Sequence, residues 1–162
     1  MSLTGPYLDL ASVPRSRFEG DPLLSALRDR AHGQPVMLLT GGFLMGFPSL
    51  AEVELGASSV GQVLLPGTVI LSRGNAAERA QAESLRPYVV AQLVNDLQRF
   101  RPTIVAVDRR PARQALPADF DILAYYASDP QFRKEWAAYR MVATVSGWDL
   151  YRRDKVSGRD DE

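Results

Sequence analysis

Residues 101–111, Arg-Pro-Thr-Ile-Val-Ala-Val-Asp-Arg-Arg-Pro, set the fold. After Thr103 the run to Val107 carries no polar side chain, so it cannot divide into a wet face and a dry one. A strand of that kind is covered on both sides, which is the situation of an inner strand in an α/β sheet. Asp108, Arg109 and Arg110 then stand at its carboxyl end, the edge at which open α/β sheets take ligands.

Working back from this strand, Ala76 to Phe100 has helical periodicity. Leu85, Val89, Leu93 and Leu97 recur at four-residue spacing, with Val90 and Val94 beside them. Pro87 is expected to start a second segment of this helix or to kink it. Further upstream, Asp21-Pro22 supplies an N-cap followed by proline at the first helical position, and Leu23, Leu24 and Leu27 share a face, giving a helix over 22–32. His32 falls in its last turn, where a partly positive ring suits the negative end of the helix dipole. Pro35 to Thr40 reads as a buried strand that Gly41 and Gly42 release into a loop. Residues 43–75 carry five glycines and two prolines between short apolar pieces. Within them Val63-Leu64-Leu65 is taken as a second strand, and Thr68 to Leu71 as its continuation along an edge or into a turn.

On the carboxyl side, Asp129-Pro130 repeats the cap signature and opens a helix over 130–139, with Phe132 and Trp136 four residues apart. Strand-like runs at 141–145 and 148–152 flank Ser146-Gly147, a two-residue hairpin turn. The order of elements predicts an α/β layered sandwich. Its sheet is partly parallel, with about 4–5 strands, helices packed on it and a C-terminal antiparallel hairpin. One domain is expected over 21–153, after a lead-in at 1–20 and before a disordered tail at 154–162.

Composition narrows the function classes. The 162 residues hold 19 basic and 19 acidic side chains, and this zero net charge, with no long basic run, gives no footprint for nucleic acid. Without cysteine there is no disulfide framework or thiol chemistry, and a single histidine leaves too few ligands for a catalytic transition metal. No cofactor is expected. No stretch reaches the ~18–20 apolar residues of a membrane span, and Met1-Ser2-Leu3 is compatible with a leader on an excised fragment.

Two constellations remain as ligand candidates. Gly41 and Gly42 follow a strand and resemble a phosphate-cradling turn, although they match neither the dinucleotide nor the Walker pattern, so plain turn geometry is the stronger expectation. Asp108 and Arg109, with Arg113 as a second fork of donors, have the chemistry to hold a sugar hydroxyl or a phosphate; self-pairing at the strand end is the competing expectation. Asp119 and Asp121, two apart, are read as pointing to opposite sides of their segment, which argues against paired acid–base work. Tyr125 and Tyr126 offer flat faces for a sugar ring or a polyprenyl chain, with core packing the stronger expectation. No serine lies in a nucleophile elbow, and His32 would be the only partner for a triad.

Phe47-Pro48, Leu64-Leu65-Pro66-Gly67, and the segments RPTIVAVDRRP, LPADFDILAYYASDPQF and GWDLYRR occur in one order over residues 22–153. In that order the chain resembles the C-terminal soluble domain of bacterial polytopic membrane glycosyltransferase-like proteins, which are similar to enzymes using polyprenyl-phosphate sugars. The resemblance implies a multi-spanning part of the same polypeptide that carries the catalytic acid, and an extracytoplasmic (periplasmic) α/β domain with no catalytic residue of its own. Such a domain is expected to be an accessory unit that positions an acceptor or mediates assembly, with a saccharide or polyprenyl-linked molecule as its ligand. The Gly41-Gly42 pair and residues 58–61 are less aromatic and less charged than that family would suggest. The alternative expectation is a stand-alone nucleotide- or sugar-binding α/β protein with its site at the carboxyl ends of the parallel strands.

Overall fold

A computed structural model describes residues 20–42, 46–113 and 115–154. Most of the lead-in, most of the tail and the start of the glycine-rich loop at 43–45 lie outside them. In chain order the elements are α1 (Pro22–Ala31), β1 (Pro35–Leu39), α2 (Phe47–Ala51), β2 (Glu54–Leu55), α3 (Leu65–Ser72) and α4 (Ala76–Phe100). After these come β3 (Ile104–Asp108), α5 (Ile122–Ala127), α6 (Pro130–Trp136), β4 (Tyr139–Val145) and β5 (Trp148–Arg153). The five strands form one mixed sheet in the order β2-β1-β3-β5-β4. β1 runs parallel to both β2 and β3, while β5 lies antiparallel to β3 and to β4.

Alternation along the inner strands builds two cores. Met37 and Leu39 of β1 and Val105 and Val107 of β3 face one side, where they meet α3, α4, α5 and α6. Val36 and Leu38, Ile104 and Ala106, and Trp148 and Leu150 of β5 face the other, against α1 and α2. The apolar run at 103–107 is thus covered on both faces, as its composition requires. Along the first core an aromatic ladder runs from Phe120 through Tyr125, Tyr126 and Phe132 to Trp136, which contacts both Tyr139 and Tyr151, with contacting ring centres 4.9–5.6 Å apart. Tyr125 and Tyr126 belong to this packing, and the Tyr126 hydroxyl donates to Gln62 Oε1 at 3.1 Å.

The caps behave as their side chains dictate. Asp21 accepts from the amides of Leu23 and Leu24, and Asp129 from those of Gln131 and Phe132. α1 ends one residue earlier than its pattern suggests, because His32 turns to φ 50° and closes the helix from outside. α6 likewise stops at Trp136, since Tyr139 already belongs to β4. α4 is one element through Pro87, so the proline does not begin a second segment. Its start is fixed eleven residues upstream by a capping box between Asn75 and Glu78.

One strand expectation is corrected. Leu65 to Ser72 is helical, and the edge strand beside β1 is instead the two-residue β2. Pro66 in the first helical turn supplies the fixed φ that a helix start favours, and Thr68 Oγ1 donates back to the Leu64 carbonyl at 2.9 Å. The hairpin is as expected. Ser146 and Gly147 both take positive φ, the requirement of a type I′ turn. β4 carries a register irregularity between Met141 and Ala143.

Candidate functional site

β1 and β3 are adjacent and parallel, yet the chain leaves them toward opposite faces, to α2 after β1 and to α5 and α6 after β3. Their carboxyl ends form a topological switch point, the position where doubly wound sheets open a crevice. Thr40 and Asp108 occupy it.

Asp108 is fully buried, 0% exposed, and its carboxylate accepts four hydrogen bonds. Oδ2 takes the Thr40 hydroxyl at 2.9 Å and Arg110 Nη2 at 2.8 Å; Oδ1 takes Arg110 Nε at 2.9 Å and the Arg110 amide at 3.1 Å. A carboxylate offers about four acceptor positions, so none is left for a ligand. Burial works to raise the carboxyl of Asp108, but the Arg110 side chain and amide, with the Thr40 hydroxyl, outweigh it and hold the group below the ordinary aspartate value. The Arg110 guanidinium also lies over the Trp148 ring, 4.7 Å from its centre.

Gly41 and Gly42 are buried. The Gly42 amide is spent on Thr40 Oγ1 at 3.2 Å, and the Gln62 amide donates to the Thr40 carbonyl at 3.0 Å. A Cβ at Gly61 would sit 2.5 Å from the Gly42 carbonyl oxygen. The Gly42 amide is thus turned inward, and its carbonyl lies close against the loop at Gly61.

Arg113 is 8% exposed and organises the loop after β3. Nη1 donates to the Asp108 carbonyl at 3.0 Å, while Nη2 lies on the carbonyls of Pro117, Ala118 and Phe120. Its Nε is buried and has no hydrogen-bond partner among the described residues. Arg109 faces outward and pairs with Asp121 at 2.9 Å, and more distantly with Asp149 at 3.8 Å.

Arg109 and Arg113, with Ala118, Asp119, Phe120 and Asp121, line a depression of about 150 Å³. Of the ligand candidates named from sequence, the fold brings Arg109 and Arg113 to this depression and leaves Gly41, Gly42 and Asp108 out of its lining. Asp119, Phe120 and Asp121 are additions. Against the expectation that they point to opposite sides, Asp119 and Asp121 both line the depression, but each carboxylate has its own partners: Asp119 bonds to Arg73 at 2.9 Å, and Asp121 to Arg109 and to the Ala124 amide at 3.0 Å. Burial acts to raise Asp121, but the Ala124 amide and Arg109 prevail, so its carboxyl lies below the usual range. Asp119 is lowered by its bond from Arg73. What marks these residues is the folding of the loop around the Arg113 guanidinium, and no periodicity announces that.

Among the described residues no group of three or more His, Asp or Glu side chains is placed to hold a metal ion, and no helix is long and apolar enough to cross a membrane. No family model, characterised protein or solved structure matches this chain.

Proposed function

We propose that this chain is a non-catalytic accessory domain of a membrane glycosyltransferase-like protein, lying on the extracytoplasmic side, where it positions an acceptor or holds the transmembrane part of the same polypeptide in its assembly. The observation that carries this reading is the commitment of the charged groups at the carboxyl edge. Asp108 is saturated by Thr40 and Arg110, Arg109 is paired with Asp121, and the terminal nitrogens of Arg113 lie on backbone carbonyls. A general acid or base needs a group within reach of substrate and free to exchange its proton; groups bound in this way serve structure. The order of segments from Phe47-Pro48 to GWDLYRR supports the family assignment.

The rival reading, a stand-alone nucleotide-binding protein, calls for a deep cleft at the strand ends. Among the described residues the depression at that edge, about 150 Å³, is below the ~300–1,000 Å³ of sites that enclose drug-sized ligands. Two measurements test the proposal. The purified chain, given a polyprenyl-phosphate sugar and an acceptor, is expected to transfer no sugar, and transfer above the protein-free background would overturn the non-catalytic assignment. The native reading frame upstream of Thr4 is expected to encode several apolar segments of about 20 residues; a start at Met1 with none would sink the membrane attachment.

A further inference from the structure

We infer that the corner of the sheet where β5 ends and β4 begins is a docking surface for an anionic phospholipid bilayer. The chain as a whole is neutral, with 19 basic and 19 acidic side chains, and no basic run marks this corner in the sequence. The fold assembles it from three separate stretches. Arg152 and Arg140 are direct cross-strand partners on β5 and β4, so their side chains leave the same face of the sheet. Arg153 follows, its guanidinium over the Tyr139 ring and 6.0 Å from the centre. Arg101 is brought alongside, because the Arg153 amide donates to the Thr103 carbonyl at 3.0 Å and the Tyr139 hydroxyl to that of Pro102. It is exposed and closes α4 at φ 46°, a backbone conformation that glycine takes more easily.

Like charges set opposite one another on neighbouring strands repel, and little at this corner offsets them. Asp154 reaches Arg140 Nε at 3.4 Å, with both side chains more than half exposed. Glu135, at the end of α6, accepts from Gln98 Nε2 at 3.0 Å. Among the described residues Arg101, Arg152 and Arg153 make no ion pair. The corner therefore carries excess positive charge on guanidinium forks, the geometry that fits phosphate. Its neighbours select a bilayer among phosphate-bearing partners. Met141 and Val142, 59% and 38% exposed, come directly after Arg140 on the outer strand, at the register irregularity of β4. Guanidinium groups beside exposed apolar side chains suit the headgroup layer, where the charges meet phosphate and the apolar atoms reach the acyl boundary. A nucleic acid would use the arginines and leave Met141 and Val142 in water. The inference goes beyond the attachment proposed above, since a transmembrane anchor needs no lipid-binding face.

The test is co-flotation of the purified 162-residue chain with large unilamellar vesicles, made of phosphatidylcholine alone or with about 40% phosphatidylglycerol. Each arginine at an anionic surface is worth roughly a fivefold gain in partitioning. Mixed vesicles are therefore expected to bind at least about 50-fold more tightly than phosphatidylcholine, and raising sodium chloride from about 20 to about 150 mM should weaken that binding severalfold. Arg152→Ala should cost about fivefold. Arg79→Ala, at an exposed arginine toward the other end of α4, should cost nothing, and Met141→Ser should weaken binding by removing apolar contact. All three side chains are exposed, so the variants keep the fold, which circular dichroism checks. Equal binding to both vesicles, binding to neither, or the same loss from Arg79→Ala as from Arg152→Ala would overturn the inference. Polyglutamate bound more tightly than the mixed vesicles would give the corner to an acidic peptide and overturn it too. Vesicle binding by a protein whose reading frame encodes no membrane spans would keep this face and remove the anchor; spans upstream with vesicles unbound would do the reverse.

Discussion

Asp108 is a charged group placed out of reach of water, and its neighbours explain why it stays charged. A buried carboxylate is tolerated only with partners on its lone pairs, and Thr40 and Arg110 supply all four. Asp108→Asn is expected to cost about 3 kcal/mol in urea unfolding at neutral pH, the lower end for breaking a buried pair because Arg110 can turn to solvent. The folded value of Asp108 lies below the unfolded one. Its contribution is therefore complete above about pH 4 and is lost as the pH falls through the folded value; the variant should lose less stability than the parent between neutral pH and acid. Tyr139 has the opposite sign. Burial pushes its hydroxyl, which donates to the Pro102 carbonyl at 3.0 Å, up to about 12. That contribution is complete below about pH 10 and disappears as the pH rises from there toward the folded value. Tyr139→Phe should flatten the alkaline loss and cost about 1 kcal/mol at neutral pH, read from urea midpoints.

At the scale of elements, the sequence was legible wherever one local device decides the structure. Asp-Pro caps, the four-residue stripe of α4, the apolar run of β3 and the Ser-Gly turn each act within a few residues, and each element is there. It was illegible where a partner far along the chain decides. Leu64-Leu65-Pro66-Gly67 satisfies a strand pattern as well as a helix start, and α3 is a helix because Leu65 and Val69, four apart, are buried in the core that α4 shares. The same holds for the candidate site. Arg109 and Arg113 could be named from their position after β3, whereas Asp119 and Phe120 join them only through the carbonyls that Arg113 gathers. Two substitutions test these elements. Asn75→Ala removes the capping box of α4 and should lower stability by about 1 kcal/mol, measured by thermal unfolding followed by helical circular dichroism. Gly61→Ala puts a methyl group against the Gly42 carbonyl and should cost about 2 kcal/mol in the same assay.

Across the whole molecule, one sheet carries two separate cores, and its inner strands are the walls of both. Neither core can loosen without exposing strands that the other also uses, so unfolding should be a single transition. The two tryptophans sit on opposite sides: Trp148 belongs to the α1 and α2 core, while Trp136 packs against the other. Single-tryptophan variants, Trp136→Phe and Trp148→Phe, are expected to give urea curves with coincident shape once each is scaled to its own midpoint. An added plateau in one of them would show the two cores melting separately. The rims of the sheet differ from its centre. β2 has two residues, and β4 breaks register between Met141 and Ala143. A fibre grows when each newcomer finds a long, regular row of unpaired amides to copy. Neither rim offers such a row, so crowding of this protein should end in loose, side-chain-driven clumping and not in templated polymerisation.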